Sequence, residues 1–240
     1  MAKDFSTILN NTCLLSGVDA PSSFSSTSEP YPEIKKYIQD TLESICSGFE
    51  WTFLESSYDL STVSDQREYT LPAHLEPRNI LQQGVRRSGW TPPLDYIQND
   101  YLDRVVLTSG QPTKYSIFGQ KLILDPTPDD VYTITIKYLT NYYAFSNGGT
   151  SQANLSLTND YTVIPDRFVK TLEYGAAVQY RMQYFLDDKL AYLQNKYAEF
   201  LNDMKQSDGY GKDSSTKLVM GSYINGSNAV YNAFRCAGLQ

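Results

Sequence analysis

The side chains that most often carry out chemistry are few and scattered in this chain. His74 is the only histidine, and it lies in the segment TLPAHLEP between two prolines. A Ser-His or Cys-His nucleophile would need this histidine as its base. Because the surrounding residues are typical of the end of a strand, we interpret His74 as a loop or strand-edge residue.

Paired carboxylates are the second candidate chemistry, because glycosidases use two carboxyl groups that face each other across a cleft. The candidate pairs are Asp129-Asp130, Asp187-Asp188, and Asp59 with Asp65. A sequence does not decide whether such groups face each other. Adjacent aspartates at a turn or a helix start are typical of capping and solvation, and we adopt that interpretation.

Metal and phosphate sites lack their usual signatures. Cys13, Cys46 and Cys236 are odd in number and far apart, which predicts free, reduced thiols of a cytosolic product. With no C-x-x-C motif and one histidine we predict no metal site, and no glycine-rich phosphate loop occurs. We therefore predict that the protein is not an enzyme, has no catalytic residues and uses no cofactor.

The charge balance disfavours several classes of partner. Twenty Lys plus Arg against 27 Asp plus Glu give a net charge of −7. Tight nucleic-acid binding and docking on anionic membranes both need clustered cations, and the basic cluster Arg86-Arg87 is too small for either. The N-terminal MAKDFSTILNN has Asp4 where a signal peptide needs an apolar core, and no apolar run is long enough to span a membrane.

The aromatic content indicates contact surfaces. Twenty Tyr accompany ten Phe and two Trp, and rings with a polar end suit half-buried surfaces and interfaces. Frequent tyrosine is also ordinary in β-rich proteins. Trp51 lies in an apolar block and is predicted to be in the core, while Trp90 keeps a carbohydrate-binding function open.

Apolar spacing of three and four residues predicts helices at both ends of the folded part of the chain. The predicted helices cover 5–18, 32–54 and 165–206, the last range holding two helices with an acidic start at Asp187-Asp188. Phe168, Leu172, Ala176 and Met182 are predicted to line one face, with the small segment Gly175-Ala176-Ala177 allowing a close neighbour. A further short helix is predicted over 94–107.

The middle of the chain changes to the period of two that is typical of strands. Strands are predicted at 67–71, 78–87, 115–117, 122–124 and 132–138. The last of these alternates strictly between apolar and polar residues, as expected of a half-buried antiparallel strand. We predict a small antiparallel sheet or sandwich of four or five strands.

Two segments are predicted to be irregular. Residues 144–163 are polar and contain Asn147-Gly148-Gly149, which indicates a long, flexible, exposed loop. Residues 207–240 are rich in Gly, Ser and Asn with short apolar clusters, a composition typical of a tail that orders on a partner. A disordered end, or a tail packed on its own domain, is the alternative. The predicted interface residues are Leu218, Val219, Met220, Tyr223, Ile224, Val230, Tyr231 and Phe234.

The order of several short motifs resembles a known family. The motifs are Phe49-Glu50-Trp51-Thr52-Phe53, Tyr69-Thr70-Leu71-Pro72, Gly110-Gln111-Pro112-Thr113-Lys114-Tyr115, Leu122-Ile123-Leu124-Asp125-Pro126-Thr127-Pro128, Ile136-Lys137-Tyr138, Ile164-Pro165-Asp166-Arg167-Phe168 and Tyr174-Gly175-Ala176-Ala177. In this order they resemble the head-to-tail adaptor proteins of tailed bacteriophages, also called connector or tail tubular proteins. The resemblance covers roughly residues 30–206.

The resemblance implies an α+β architecture built for assembly. Helices in 1–56 and 144–206 would form a helical bundle that serves as the wall of a ring. An inserted small antiparallel β domain would occupy 57–143, and 207–240 would be an extended C-terminal tail. The implied protein is a virion component, assembled in the host cytoplasm and located at the head–tail interface.

The resemblance also implies the partners. They are further copies of the chain in a ring, usually a dodecamer, the portal protein, downstream tail proteins, and double-stranded DNA that passes through the lumen without sequence-specific binding. The long tail and the 144–163 segment exceed what smaller members carry. The alternatives are another virion tail or fibre-attachment protein, and a soluble enzyme or carbohydrate-binding module.

Overall fold

The computed structural model describes residues 3–102, 108–185 and 187–208. The helices are α1 (Phe5–Ser16), α2 (Tyr31–Ser47), the short α3 (Asn99–Leu102), α4 (Val169–Tyr184) and α5 (Asp188–Asp208). The helix α4 packs against α1, α2 and α5, so the helices from the two ends of the chain form one body. The predicted helical regions at both ends are confirmed, except that α2 ends at Ser47 and α5 continues through Asp208.

Local contacts set the ends and the spacing of these helices. Asp4 caps α1 by accepting a hydrogen bond from the Thr7 amide at 2.8 Å. A Cβ atom on Gly175 would lie 2.7 Å from Thr41 Cγ2 and 2.8 Å from Tyr197 Cε2. Glycine therefore lets α2 and α5 approach α4 from two sides, as the small-residue segment predicted.

The middle of the chain forms a β sandwich. Its strands are β1 (Glu55–Ser61), β2 (Glu68–Thr70), β3 (Ile80–Arg87), β4 (Asp95–Tyr96), β5 (Ser109–Gly110), β6 (Lys114–Phe118), β7 (Lys121–Asp125), β8 (Thr127–Pro128) and β9 (Thr133–Leu139). One sheet has the order β1-β9-β3 and the other β2-β7-β6-β4, and β5 pairs with β8. Apolar residues of the two sheets share one core, so α+β is the fold class.

The strongest strand prediction is confirmed with its facing. Ile134, Ile136 and Tyr138 of β9 are buried, and Thr133 and Lys137 are exposed. The turn between β6 and β7 uses Gly119 at φ +58°, a left-handed conformation that favours glycine. The sandwich is not wholly antiparallel, because the short pairs β4–β6 and β5–β8 are parallel.

The helix predicted over 94–107 is wrong in its first part. The Leu94 amide donates to the Val85 carbonyl at 2.8 Å, and the Asp95 amide donates to the Thr113 carbonyl at 3.0 Å. These bonds draw the backbone into the sheet as β4, since sheet partners from distant residues outweigh a local helical pattern. Helix remains only in α3, and residues 103–107 lie outside the described residues.

The segment 144–163, for which we predicted a loop, contains three short strands: β10 (Ala144–Phe145), β11 (Ser151–Gln152) and β12 (Tyr161–Thr162). Asp160 organises them, since its Oδ2 accepts hydrogen bonds from the amides of Ser156 at 2.8 Å and Leu157 at 2.6 Å and from Gln152 Nε2 at 2.6 Å. Its backbone carbonyl also accepts from the Phe5 amide at 2.8 Å. Asp160 therefore orders this segment through its carboxylate and ties it to the start of α1 through its backbone carbonyl.

The sandwich leaves and rejoins the helical body at one place. The Thr140 amide, just after β9, donates to the carbonyl of Leu54, just before β1, at 2.9 Å. Next to this point Trp51 is fully buried and its Nε1 donates to the Ile45 carbonyl at 2.7 Å. Trp51 therefore belongs to the core, as predicted.

Candidate interaction surfaces

The residues considered for catalysis make ring contacts and hydrogen bonds that support the fold. The His74 ring contacts the rings of Tyr138 and Tyr142, with centroid distances of 5.9 and 5.4 Å. Asp129 accepts a hydrogen bond from the Tyr132 hydroxyl at 2.6 Å, and Asp187 caps α5 by accepting from the Leu190 amide at 3.1 Å. The capping interpretation is confirmed for Asp187.

Among residues 3–102, 108–185 and 187–208, no group of three or more His, Cys, Asp or Glu side chains is placed to hold a metal ion. Within the same ranges no helix is long and apolar enough to cross a membrane. Cys13 and Cys46 are both buried and free. Burial raises the pKa of the Cys13 thiol to about 11 and that of Cys46 further, so neither is a ready nucleophile.

One exposed apolar patch lies at the end of the sandwich; we call it the tip patch, and its residues are Val63, Trp90 and Val131 with the neighbouring Arg87 and Tyr132. The three apolar side chains are exposed by 53%, 41% and 66%. A backbone hydrogen bond joins the segment that carries Val63 to the segment that carries Val131, since the Thr62 amide donates to the Tyr132 carbonyl at 2.8 Å. The patch therefore sits on a fixed sheet end.

Arg87 is the unusual member of the tip patch. The residue is 5% exposed, and its Nε and Nη1 atoms have no hydrogen-bond partner within the described part of the chain. The guanidinium lies 4.9 Å from the centroid of the Trp90 ring and 5.3 Å from that of Tyr132. Such cation–π contacts stabilise an arginine that gives up water, and they hold the two rings in place.

A second patch lies at the C-terminal end of α4; we call it the helical patch, and its apolar residues are Met182, Tyr184 and Phe185. These side chains are exposed by 55%, 50% and 45%. The sequence-based facing of Met182 toward the helix interface is therefore wrong. The physical reason is that a three- and four-residue spacing continues to the helix end, while the described packing partners of α4 leave Met182 and Tyr184 of its last turn exposed.

Hydrogen bonds orient Tyr184 of the helical patch and the nearby Tyr37 of α2. The Tyr184 hydroxyl donates to the Glu33 carboxylate of α2, at 2.7 Å from Oε2, and the Tyr37 hydroxyl lies 3.0 Å from Oε1 of the same group. The hydrogen bond to Glu33, followed by partial desolvation, raises the pKa of Tyr184 to about 12. One carboxylate therefore fixes two rings.

A groove lies where the sandwich meets the helical body; we call it the junction groove. Its volume is about 450 Å³. Aromatic and hydroxyl side chains share its lining, which includes Phe53, Ser57, His74, Tyr142, Phe145 and Ser151. It is the place where the exposed edge of β1 lies next to the helical body.

The predicted interface residues Leu218, Val219, Met220, Tyr223, Ile224, Val230, Tyr231 and Phe234 all lie outside the described residues, so their role remains a prediction. Sequence reasoning missed Val63, Val131 and Phe185. The signal that was available is a large apolar residue directly beside charged or turn residues, as in Val131 after Asp129-Asp130.

The described residues thus form an α+β protein whose carboxylates make structural hydrogen bonds. Its exposed apolar patches are typical of surfaces that bind other proteins. The model of the SU10 adaptor protein family matches residues 4–218. The chain belongs to this family of phage adaptor proteins, and the resemblance to head-to-tail adaptors is confirmed. A search of curated proteins finds no significant match.

Family membership carries several coarser conclusions. The protein is a structural adaptor of a bacteriophage and a component of the virion. It interacts with portal and tail components of the phage. The match starts at Asp4 and so includes α1, which lay outside the motifs of the sequence resemblance.

Proposed function

We propose that this adaptor forms a homo-oligomeric ring, a dodecamer, between the capsid portal and the tail, and that the ring gives DNA a passage without catalysis. The observation that carries the proposal is the family match over residues 4–218. The ring and its position between portal and tail are the added steps, and the surfaces and charges of this chain support them. The copy number of twelve is what the resemblance to head-to-tail adaptors implies.

A ring needs two different complementary surfaces on each subunit, because its head-to-tail contacts join unlike patches. The tip patch on the sandwich and the helical patch on α4 are two exposed apolar surfaces of different composition, on different parts of the fold. Exposed aromatic and methionine side chains are enriched in the buried centres of interfaces. In the proposed ring at least one of these patches is covered by a neighbouring subunit.

The charge of the chain suits the passage of DNA. The net charge of −7 has the sign of the phosphates, and a ring with this charge does not hold DNA by releasing its counterions. Ejection requires that double-stranded DNA slide through the lumen without being bound. The protein therefore contributes a path and not a binding site.

The tail is proposed as the arm that reaches the portal. Its start is set by α5, which continues to Asp208, and the Asp208 carboxylate accepts a hydrogen bond from the Thr52 amide at 2.7 Å. A deletion that tests the arm should therefore begin at Gly209 and keep Asp208. The eight predicted interface residues all lie in the deleted part.

Electron microscopy and mass measurement of the purified protein, alone and mixed with portal, test the ring. Phe185→Ser and Trp90→Ser each remove an exposed ring from one patch, and Leu157→Ser is the control, since Leu157 is 66% exposed and lies in neither patch. We expect rings from the unmodified protein and the control, and loss of rings from at least one patch variant. Monomers alone, with no ring even on portal, would refute the proposal.

Pull-down with portal tests the tail. Deletion of 209–240 should leave the helical and β parts folded, as measured by circular dichroism, and should weaken portal capture by about tenfold or more, as expected for loss of apolar anchors. Capture by tail proteins and not by portal would instead favour the alternative, a tail or fibre-attachment protein. Undiminished portal capture by the deleted chain would refute the role of the tail.

A further inference from the structure

The strand β1 has an open edge. It pairs only with β9 within the described residues, at the end of the order β1-β9-β3. Thr62 and Leu54 bond to β9 through Tyr132 and Thr140, and hydrogen bonding alternates along an antiparallel pair. Because Ser57, Asp59 and Ser61 fall on the opposite parity, their backbone N–H and C=O groups point away from β9.

These outward groups make no hydrogen bond with the described part of the chain. Ser57, Asp59 and Ser61 are exposed and lie on one strand, β1. A row of free backbone donors and acceptors is a template for another strand, and native proteins usually cover such an edge. The aspartate offers partial protection, but its Oδ1 is engaged by Thr135 Oγ1 at 2.7 Å.

The junction groove lies along the start of this edge. Ser56 and Ser57 of β1 form one wall, and Phe53, Tyr142 and Phe145 add apolar surface. An extended peptide that adds a strand gains affinity from main-chain hydrogen bonds and specificity from pockets for alternate side chains. The edge of β1 supplies the main-chain hydrogen-bonding groups, and the junction groove supplies the side-chain pocket.

The chain beyond α5 begins at this place. Asp208, the last residue of α5, is bonded to the Thr52 amide, three residues before β1 starts at Glu55. The eight residues from 209 to 216 can span up to about 28 Å when extended, and the seven residues of β1 are about 23 Å long. Residues from 216 onward can therefore reach the whole edge.

The composition of that segment fits the edge. Residues 216–224, TKLVMGSYI, contain the apolar run Leu218-Val219-Met220, preceded by Lys217. Residues 209–240 are net positive, with Lys212, Lys217 and Arg235 against Asp213, while the rest of the chain is negative. The edge carries Asp59, so the charges of the two segments are complementary.

We propose that residues 216–224 dock as an added strand on the open edge of β1 in the same subunit, with apolar side chains in the junction groove. The docked segment shields the edge in the unassembled protein. The docking concerns the free chain, so it stands or falls separately from ring formation.

Disulfide trapping tests the occupant in the full-length chain. In a Cys236→Ser background, Ser57→Cys is combined with Leu218→Cys, Val219→Cys or Met220→Cys, and Gln82→Cys on the opposite edge strand β3 replaces Ser57→Cys in the control. Paired strands bring Cα atoms within the 4.4–6.8 Å that a disulfide needs. We expect one pair to form an intrachain disulfide at least tenfold more than the control. No excess over the control, or links only between chains, would overturn the proposal; the latter would assign the edge to a second copy.

Amide exchange provides a readout that does not depend on the chosen register. The amides of Ser57, Asp59 and Ser61 should exchange slowly in the full-length protein. Val219→Pro removes a donor from the added strand and should speed their exchange by about tenfold or more, while Asn228→Pro, outside 216–224, should leave it unchanged. Fast exchange in the unmodified protein, or no response to Val219→Pro, would overturn the proposal. The ring test uses the two patches, so failure of the ring and failure of the docking give different results.

Discussion

Gly175→Ala places two opposing effects on one residue of α4. An alanine in the interior of a helix is favoured over glycine by about 1 kcal/mol. The added Cβ, however, would lie 2.7 Å from Thr41 Cγ2 and 2.8 Å from Tyr197 Cε2. Carbon atoms pack at about 3.5–4.0 Å, so α2 and α5 would each have to move by about 1 Å.

Overpacking of this kind costs about 1–3 kcal/mol. Because both neighbours are held by their own helices, we place the cost near 2 kcal/mol, and the net loss in the free energy of unfolding near 1 kcal/mol after the gain in helix propensity. For a chain of this length a loss of that size lowers the melting temperature by about 2–4 °C. Gly175→Val should lose about 3 kcal/mol, because it adds two further methyl groups at the same place.

Urea and thermal unfolding of the purified variants measure these losses. Gly148→Ala is the control, since its Cβ would meet only Ser146 Oγ at 3.8 Å. Removing Cγ2 with Thr41→Ser should recover about 0.5 kcal/mol or more of the Gly175→Ala loss as a coupling energy. A Gly175→Ala variant more stable than the unmodified protein would refute the close approach of the three helices.

Two further predictions concern buried groups. Burial acts to raise the pKa of Asp160, but the hydrogen bonds that its carboxylate accepts outweigh burial and lower the pKa. The stability that this carboxylate contributes should therefore be lost as pH falls below about 4. Asp160→Ala should lower the free energy of unfolding by about 3 kcal/mol and abolish that part of the acid sensitivity. A Asp160→Ala variant with unchanged acid unfolding would contradict the account. The pKa of Cys13 is raised to about 11 and that of Cys46 further, so alkylation of both thiols in the native protein at pH 8 should be slow, with a rate equal to the rate of unfolding. Because the unfolded thiols ionise first, the free energy of unfolding should decline as pH rises from about 9 toward 11. Fast alkylation of either thiol at pH 8 would contradict their burial.

How far the sequence predicts the fold depends on where each segment finds its partners. The stripe of α2 and the strict alternation of β9 are local patterns, so periodicity finds them. The helix predicted from Leu94 fails because its backbone bonds come from Val85 and Thr113, which no local window contains. The strand β1 is missed because, at its inward positions, only Leu60 is buried.

The candidate surfaces were harder to predict than the fold. The exposure of Met182 and Phe185 depends on which helices end beside α4, and that of Val63 and Val131 on a sheet end assembled from three separated segments. Charge and the absence of catalytic motifs, by contrast, are properties of composition. Charge and motif content therefore predict a structural role without knowledge of any contact.

The hydrogen bond between the Thr140 amide and the Leu54 carbonyl holds the entry and the exit of the sandwich side by side. The 85 residues between Leu54 and Thr140 can therefore be exchanged as a unit without changing the path of the helical chain. A short glycine linker from Leu54 to Thr140 should accordingly yield a helical remnant that still folds.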